Sequence, residues 1–153
     1  MYGIDDETKC KIGEEAVRYI SDENHWGQGA YIRIGHPGDI SYDLANDNVR
    51  NAFALASAYY QSSEASKLQD CQVCVVGNVI RACVVNGIFD TLDWHDTLVV
   101  LINAAQNVIR HGHPCQVTSQ YPAIHEINDS PVIKHSEIVE ITEAFRDRIC
   151  AGS

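Results

Sequence analysis

Six cysteines and seven histidines in 153 residues invite a search for metal and nucleophile chemistry. Cys71-Gln-Val-Cys74 has the spacing of a metal knuckle, and His111-Gly-His113-Pro-Cys115 offers further ligands of the kind tetrahedral zinc takes. Structural zinc sites, however, join two compact ligand pairs on turns, whereas Cys74 is expected inside a helix and the second group matches no standard spacing. No resident metal or other cofactor is therefore expected, with Cys71, Cys74, His111 and His113 as the alternative ligand set. A redox dithiol at Cys71 and Cys74 would need a preceding strand in a βαβ frame, and Glu64-Ala-Ser-Lys-Leu-Gln69 does not read as one.

Nucleophilic catalysis is the second possibility. A thiol near a helix N-terminus gains acidity from the dipole, and a histidine must then take its proton. The chain order allows Cys71 or Cys74, then His111, His113 or His125, then Asn128 or Asp129, with Gln28 as an oxyanion donor. Abundant His, Asn and Asp make such an order easy to meet by chance. A small thiol packed in a helix explains the same residues. The expectation is a protein without catalytic residues that works by binding. Its alternative is a cysteine-dependent hydrolase or transferase using Cys74, His125 and Asp129.

For ligand contact the candidates are Trp26, Gln28, Asn78, Arg81, Asn128 and Asp129. Trp26-Gly-Gln-Gly29 presents an aromatic face, an amide and open backbone. The competing reading is a helix stop, with Trp26 against the core and Gln28 satisfying loop backbone. Asn78 and Arg81 share a helical face with Cys74. Asn128-Asp-Ser-Pro131 is a turn signal, because Asn and Asp side chains bond readily to local backbone.

The elements that must position these residues follow from periodicity. Ile12, Ala16, Val17 and Ile20 predict a helix over about 6–23, stopped by the glycines after Trp26. Tyr31–Ile34 and Asp39–Tyr42 flank Gly35-His-Pro-Gly38 as a small hairpin. Val49, Phe53, Ala56 and Tyr60 predict a helix over 47–62 with Asn46 as its cap. The sulfur-rich stretch predicts a buried helix capped by Asp70; its β-branched residues also allow a strand over 72–76 and a helix opening near Gly77. Asp93 caps a fourth helix running to about Arg110, and Ser136 caps a last one over 137–150. Between them, His113 to Lys134 holds three of the four prolines and reads as a long packed connection, a place to look for function. The whole, residues 1–153, reads as one mainly α domain of about five helices with one small β-hairpin.

Composition narrows the function. The formal charge is −10, with scattered Lys and Arg, which argues against nucleic-acid binding and fits docking onto a basic protein. The opening Met-Tyr-Gly-Ile-Asp-Asp lacks the apolar core of a secretory signal, and the apolar runs around Val73–Val85 and Leu98–Ala105 are too short or interrupted to span a bilayer. A cytoplasmic protein with mostly reduced cysteines is expected. Its partner is a protein or a small ligand. A homodimer is compatible with the sequence, although no unused apolar stripe demands one.

Three segments carry a resemblance. They are Trp26-Gly-Gln-Gly-Ala-Tyr-Ile-Arg33 after the helix Glu14–Ile20, Cys74-Val-Val-Gly-Asn-Val-Ile-Arg-Ala82, and Ile127-Asn-Asp-Ser-Pro131 followed by Glu137-Ile-Val139 and Ala144. In this order and spacing the chain resembles a family of small bacterial and phage proteins of unknown function, from which it departs at Ile127, where that family tends to carry Trp, and in a longer stretch over 43–70. The resemblance implies a mainly helical domain, a shared role for Cys74, Gly77, Asn128 and Asp129, and an accessory or host-interaction role in phage; it implies no activity. On physical grounds Gly77 would let another element approach the Cys74 face, with Asp129 capping the final helix region or pairing with Arg81 to latch the long connection onto the central helix.

Overall fold

The Asp5 carboxylate accepts the Thr8 N–H at 2.7 Å and opens α1 (Asp6–Ile20), which turns Ile12, Ala16, Tyr19 and Ile20 inward. The computed structural model describes residues 3–35, 38–39, 42–90, 94–109 and 124–151. After α1 come β1 (Ile32–Ile34), β2 (Asp43–Ala45), α2 (Val49–Tyr60), β3 (Gln72–Val73), α3 (Val75–Val85), α4 (Trp94–Val108), α5 (Ile124–Asn128) and α6 (His135–Cys150). The protein is mainly helical with a small antiparallel sheet in the order β2-β1-β3. The expected hairpin forms with its second strand further along: Ile32 faces Ala45 and Ile34 faces Asp43, so residues 35–42 connect the strands.

At the centre lies α3. Every residue from Val75 to Val84 is buried, and the Cys71, Cys74 and Cys83 side chains sit at 1%, 3% and 0% exposure. The helix starts at Val75, between the two starts the sequence allowed. Cys71–Cys74 is extended because its backbone is needed elsewhere: Val73 O accepts from Gly27 N–H at 3.0 Å and Cys74 N–H donates to Tyr31 O at 3.1 Å. Asp70 is thus no cap, and Cys74 is the cap rather than a mid-helix residue. Helices α1, α2 and α5 pack around α3.

Gly77 is dictated by the crossing of α3 over β1. A Cβ there would lie 1.8 Å from the Tyr31 carbonyl oxygen, so no residue with a side chain fits. Elsewhere, α2 is capped by Asn48 rather than Asn46, its side chain accepting from Asn51 N–H at 2.8 Å. Tyr60 is 38% exposed instead of joining the core stripe. Helix α6 starts ahead of Ser136, with Glu137 accepting the Lys134 N–H at 3.0 Å. Within the connection over 113–134, residues 124–128 form α5; Asp93, His111, His113 and Cys115 lie outside the described residues.

Candidate functional site

Three stretches far apart in sequence meet in front of the first turn of α3, and Asn128 ties them together. Its side chain is buried, and all four of its hydrogen-bonding positions are used. Oδ1 accepts from Trp26 Nε1–H at 2.9 Å and from Val75 N–H at 3.1 Å; Nδ2 donates to Gly27 O and to Asp129 Oδ1, each at 3.1 Å. Gln28 Nε2 donates to Asn128 O at 2.8 Å and Ser130 O at 3.0 Å, and Asp129 Oδ1 accepts the Gly29 N–H at 2.9 Å. The loop after Trp26 is thereby fixed to the turn after α5. Burying this much backbone and indole N–H is tolerable because each group finds a partner.

The same contacts occupy amides at the start of α3. Val75 N–H goes to Asn128, Gly77 N–H goes to Cys74 Sγ at 3.3 Å, and Asn78 N–H goes to Cys74 O at 2.8 Å. Burial pushes the Cys74 thiol up to about 11, against the opposing pull of the Gly77 and Val76 amides, and the nearby Asp129 charge adds to the rise. At neutral pH Cys74 is a thiol, not a thiolate.

In front of this junction is a cavity of about 250 Å³, lined by Gly29, Ala30, Tyr31, Asn46, Asp47, Cys74, His125 and Asp129. It draws its walls from the loop before β1, the segment leading into α2, the α3 cap and the α5 end. The Asp47 Oδ2 accepts from Asn51 Nδ2 at 2.6 Å, which orients that carboxylate. The Tyr31 hydroxyl is raised above its ordinary range by burial first, then by the charges of Cys74 and Asp129.

The sequence-derived candidates therefore separate into three groups. Asp129 lines the cavity together with Cys74 and His125, so the alternative catalytic trio does share one space. Trp26, Gln28 and Asn128 form the scaffold behind it and direct their polar atoms to each other and to backbone. Asn78 and Arg81 lie apart. Asn78 Nδ2 donates to Ala16 O at 2.8 Å, and its Oδ1 is buried with no partner among the described residues.

Arg81 is one of the largest fully buried side chains. It hydrogen-bonds Leu68 O and reaches Glu15 Oε1 at 2.9 Å, while its guanidinium stacks 3.4 Å from the Tyr19 ring centroid. Partial burial works against ionisation of Glu15, yet the hydrogen bonds and charges of Arg18 and Arg81 outweigh it and hold the carboxyl below its usual value. Arg81 thus pairs with Glu15, and the anticipated Arg81–Asp129 latch is instead made by Asp129 with Gly29.

Cys71 and Cys74 do not group with a third ligand among the described residues. Cys71 Sγ donates to Leu68 O and accepts from Tyr19 O–H at 3.4 Å. The ligand cluster that does occur there is Cys10, Glu14 and Cys150, where Cys10 and Cys150 are joined by a disulfide. As lining residues of this cavity, Asn46, Asp47 and Tyr31 do not stand out from the sequence, where Asn46 reads as a helix cap and Tyr31 as a strand residue. Their signal is position: Tyr31 directly precedes β1, and Asn46 and Asp47 directly follow β2, the strand paired with it.

No family model, curated protein or solved structure matches this chain. No described helix is long and apolar enough to cross a membrane.

Proposed function

We propose that the protein is a small-ligand-binding domain and that the cavity at the start of α3 is its site. One observation carries this reading: three remote segments are cross-linked by a saturated hydrogen-bond network at Asn128, and the space they frame is lined by several polar side chains. Concave sites with a few convergent polar groups on a rigid frame are where small ligands bind. The three segments are also those that carry the resemblance to small bacterial and phage proteins, and a shared binding site explains why these residues would recur together. The accessory or host-interaction role, the absence of nucleic-acid partners and a cytoplasmic setting belong to the same proposal.

The test is a thermal-shift screen of the intact chain against small metabolites, followed by amide chemical shifts. Compounds that raise Tm are expected to move the Gly29, Ala30 and Tyr31 amides, and to lose their effect in Ala30→Leu, which fills the cavity. Hits that ignore this substitution place binding elsewhere.

A second reading has its own support, since Cys74, His125 and Asp129 line one cavity. It requires the thiol to ionise. Iodoacetamide labelling of the folded protein at neutral pH is expected to be slow at Cys74 and to accelerate on unfolding; fast labelling in the folded state would favour the enzyme.

A further inference from the structure

We propose that the protein carries a second ligand site, for a small organic carboxylate with an apolar body. It is a cavity of about 490 Å³ between α1, the end of α2, the short turn Ala65–Gln69 and α3. This cavity shares no lining residue with the one at the start of α3, so the two sites stand or fall separately. Arg81 forms its buried wall, and Arg18 stands at its exposed rim.

Arg81 carries more donors than the fold uses. Its Nε–H goes to Leu68 O and one Nη1–H to Glu15 Oε1, and the Cys71 sulfur lies within its hydrogen-bonding reach. A guanidinium has five N–H groups and accepts none, so the others have no partner among the described residues. An unpaired buried donor is costly, and a charge is not needed to fill this space, because an apolar side chain would pack on Tyr19 without that cost. Since Arg81 lines the cavity, an acceptor placed there can take the surplus N–H groups.

Charge decides the class of acceptor. Among the described residues Glu15 is the one acid lining the cavity, and its oxygens are already engaged. Oε1 accepts from Arg18 Nη2 at 2.5 Å and Arg81 Nη1 at 2.9 Å, and Oε2 accepts from Arg18 Nε at 2.7 Å. One carboxylate between two guanidiniums leaves a positive charge uncancelled, in a chain whose formal charge is −10. A single incoming carboxylate cancels it, and its two oxygens match the flat fork of a guanidinium. A cation would meet two arginines, and a phosphate dianion would overshoot the balance. The Ser66 hydroxyl and Gln69 amide have no partner among the described residues and can donate to the same group, while Leu68, Val85 and the Tyr60 ring offer apolar surface to its body.

The experiment titrates the intact chain with benzoate, phenylacetate and butyrate, beside benzamide, benzylamine and phenyl phosphate. It follows the Ser66 and Gln69 amides and the Arg81 Nε–H by NMR. The carboxylates are expected to move these signals, to leave the Gly29, Ala30 and Tyr31 amides in place, and to bind more weakly at high salt. Arg18→Gln removes the rim charge, keeps the Arg81–Glu15 pair and should weaken carboxylate binding about fivefold. Arg81→Lys keeps the charge without the fork and should abolish the preference for carboxylate over phosphate. Where that variant fails to fold, Ala65→Phe decides: it fills the cavity from its wall and should abolish the carboxylate shifts in a folded chain. Equal shifts from benzamide or benzylamine, tighter binding of phenyl phosphate, or carboxylate shifts that survive Ala65→Phe would overturn the inference. So would carboxylates that move none of these signals; if compounds then moved the Gly29, Ala30 and Tyr31 amides alone, the cavity at the start of α3 would keep its ligand-binding reading.

Discussion

At the scale of single residues, the chain concentrates its polar stakes in two buried networks. Asn128 is the more demanding, because among the described residues its amide alone accepts from the Trp26 indole N–H and from the first amide of α3. Asn128→Ala leaves both unsatisfied and is expected to cost about 3 kcal/mol, read as a lower urea midpoint with an unchanged m-value. Cys74 makes a prediction about pH. Its thiol is raised from 9.0 to about 11 by burial, so the unfolded chain ionises first as pH rises. Stability is therefore full below pH 9 and falls between there and about pH 11, by about 2 kcal/mol from this group alone. Cys74→Ser keeps a cap for the Gly77 amide without titrating, and its stability curve should fall less steeply across that window. An unaltered slope would mean that the thiol ionises as easily folded as unfolded.

At the scale of elements, α3 decides the fold by being crossed rather than merely surrounded. The Tyr31 carbonyl sits where a side chain at position 77 would begin, so Gly77→Ala must separate β1 from α3 or displace the helix. It is expected to cost about 3 kcal/mol or more, whereas Gly13→Ala, whose nearest neighbours are Arg146 Cα and Cγ and the Ile149 Cδ1 tip, each at 3.0 Å rather than 1.8 Å, should cost less. Thermal melts of the two variants side by side check the order. These elements also show what the sequence could reveal. The apolar character of Val75–Val84 announced a buried helix, and Gly77 announced a close approach. The start of the helix was not legible, because strand pairing with Gly27 and Tyr31, some 45 residues away, holds Cys71–Cys74 extended. Local propensity carries no information about such partners. The shift of the second hairpin strand has the same origin, since Ala45 is chosen by register with Ile32. For the site, Cys74, His125 and Asp129 were legible as residue types able to do chemistry. That Trp26, Gln28 and Asn128 would spend their polar groups on one another follows from tertiary geometry alone.

At the scale of the molecule, α1 and α6 close the chain on itself. Ile12, Ala16, Ile138, Ile141 and Phe145 are buried, α1 packs on α6, and Gly13 lets the two backbones meet near Arg146. The Cys10–Cys150 disulfide spans 140 residues across this contact. Nothing in the spacing of six cysteines identified that pair; it follows from the helices packing side by side. In a reducing cytosol the two sulfurs would stand as thiols, so the packing alone must hold the helices there. Chain entropy assigns a cross-link of this span about 5 kcal/mol at most, with about 2–4 kcal/mol typical of measured bridges. Reduction by a phosphine should therefore lower the urea midpoint by a corresponding amount without unfolding the protein, because the buried α1–α6 contact survives it. The Cys10→Ser/Cys150→Ser variant should match the reduced protein and ignore the reductant. If the reduced chain lost its cooperative transition, the helical contact would be shown to depend on the covalent bond, and the oxidised state would be the only one in which the cavity at α3 is built.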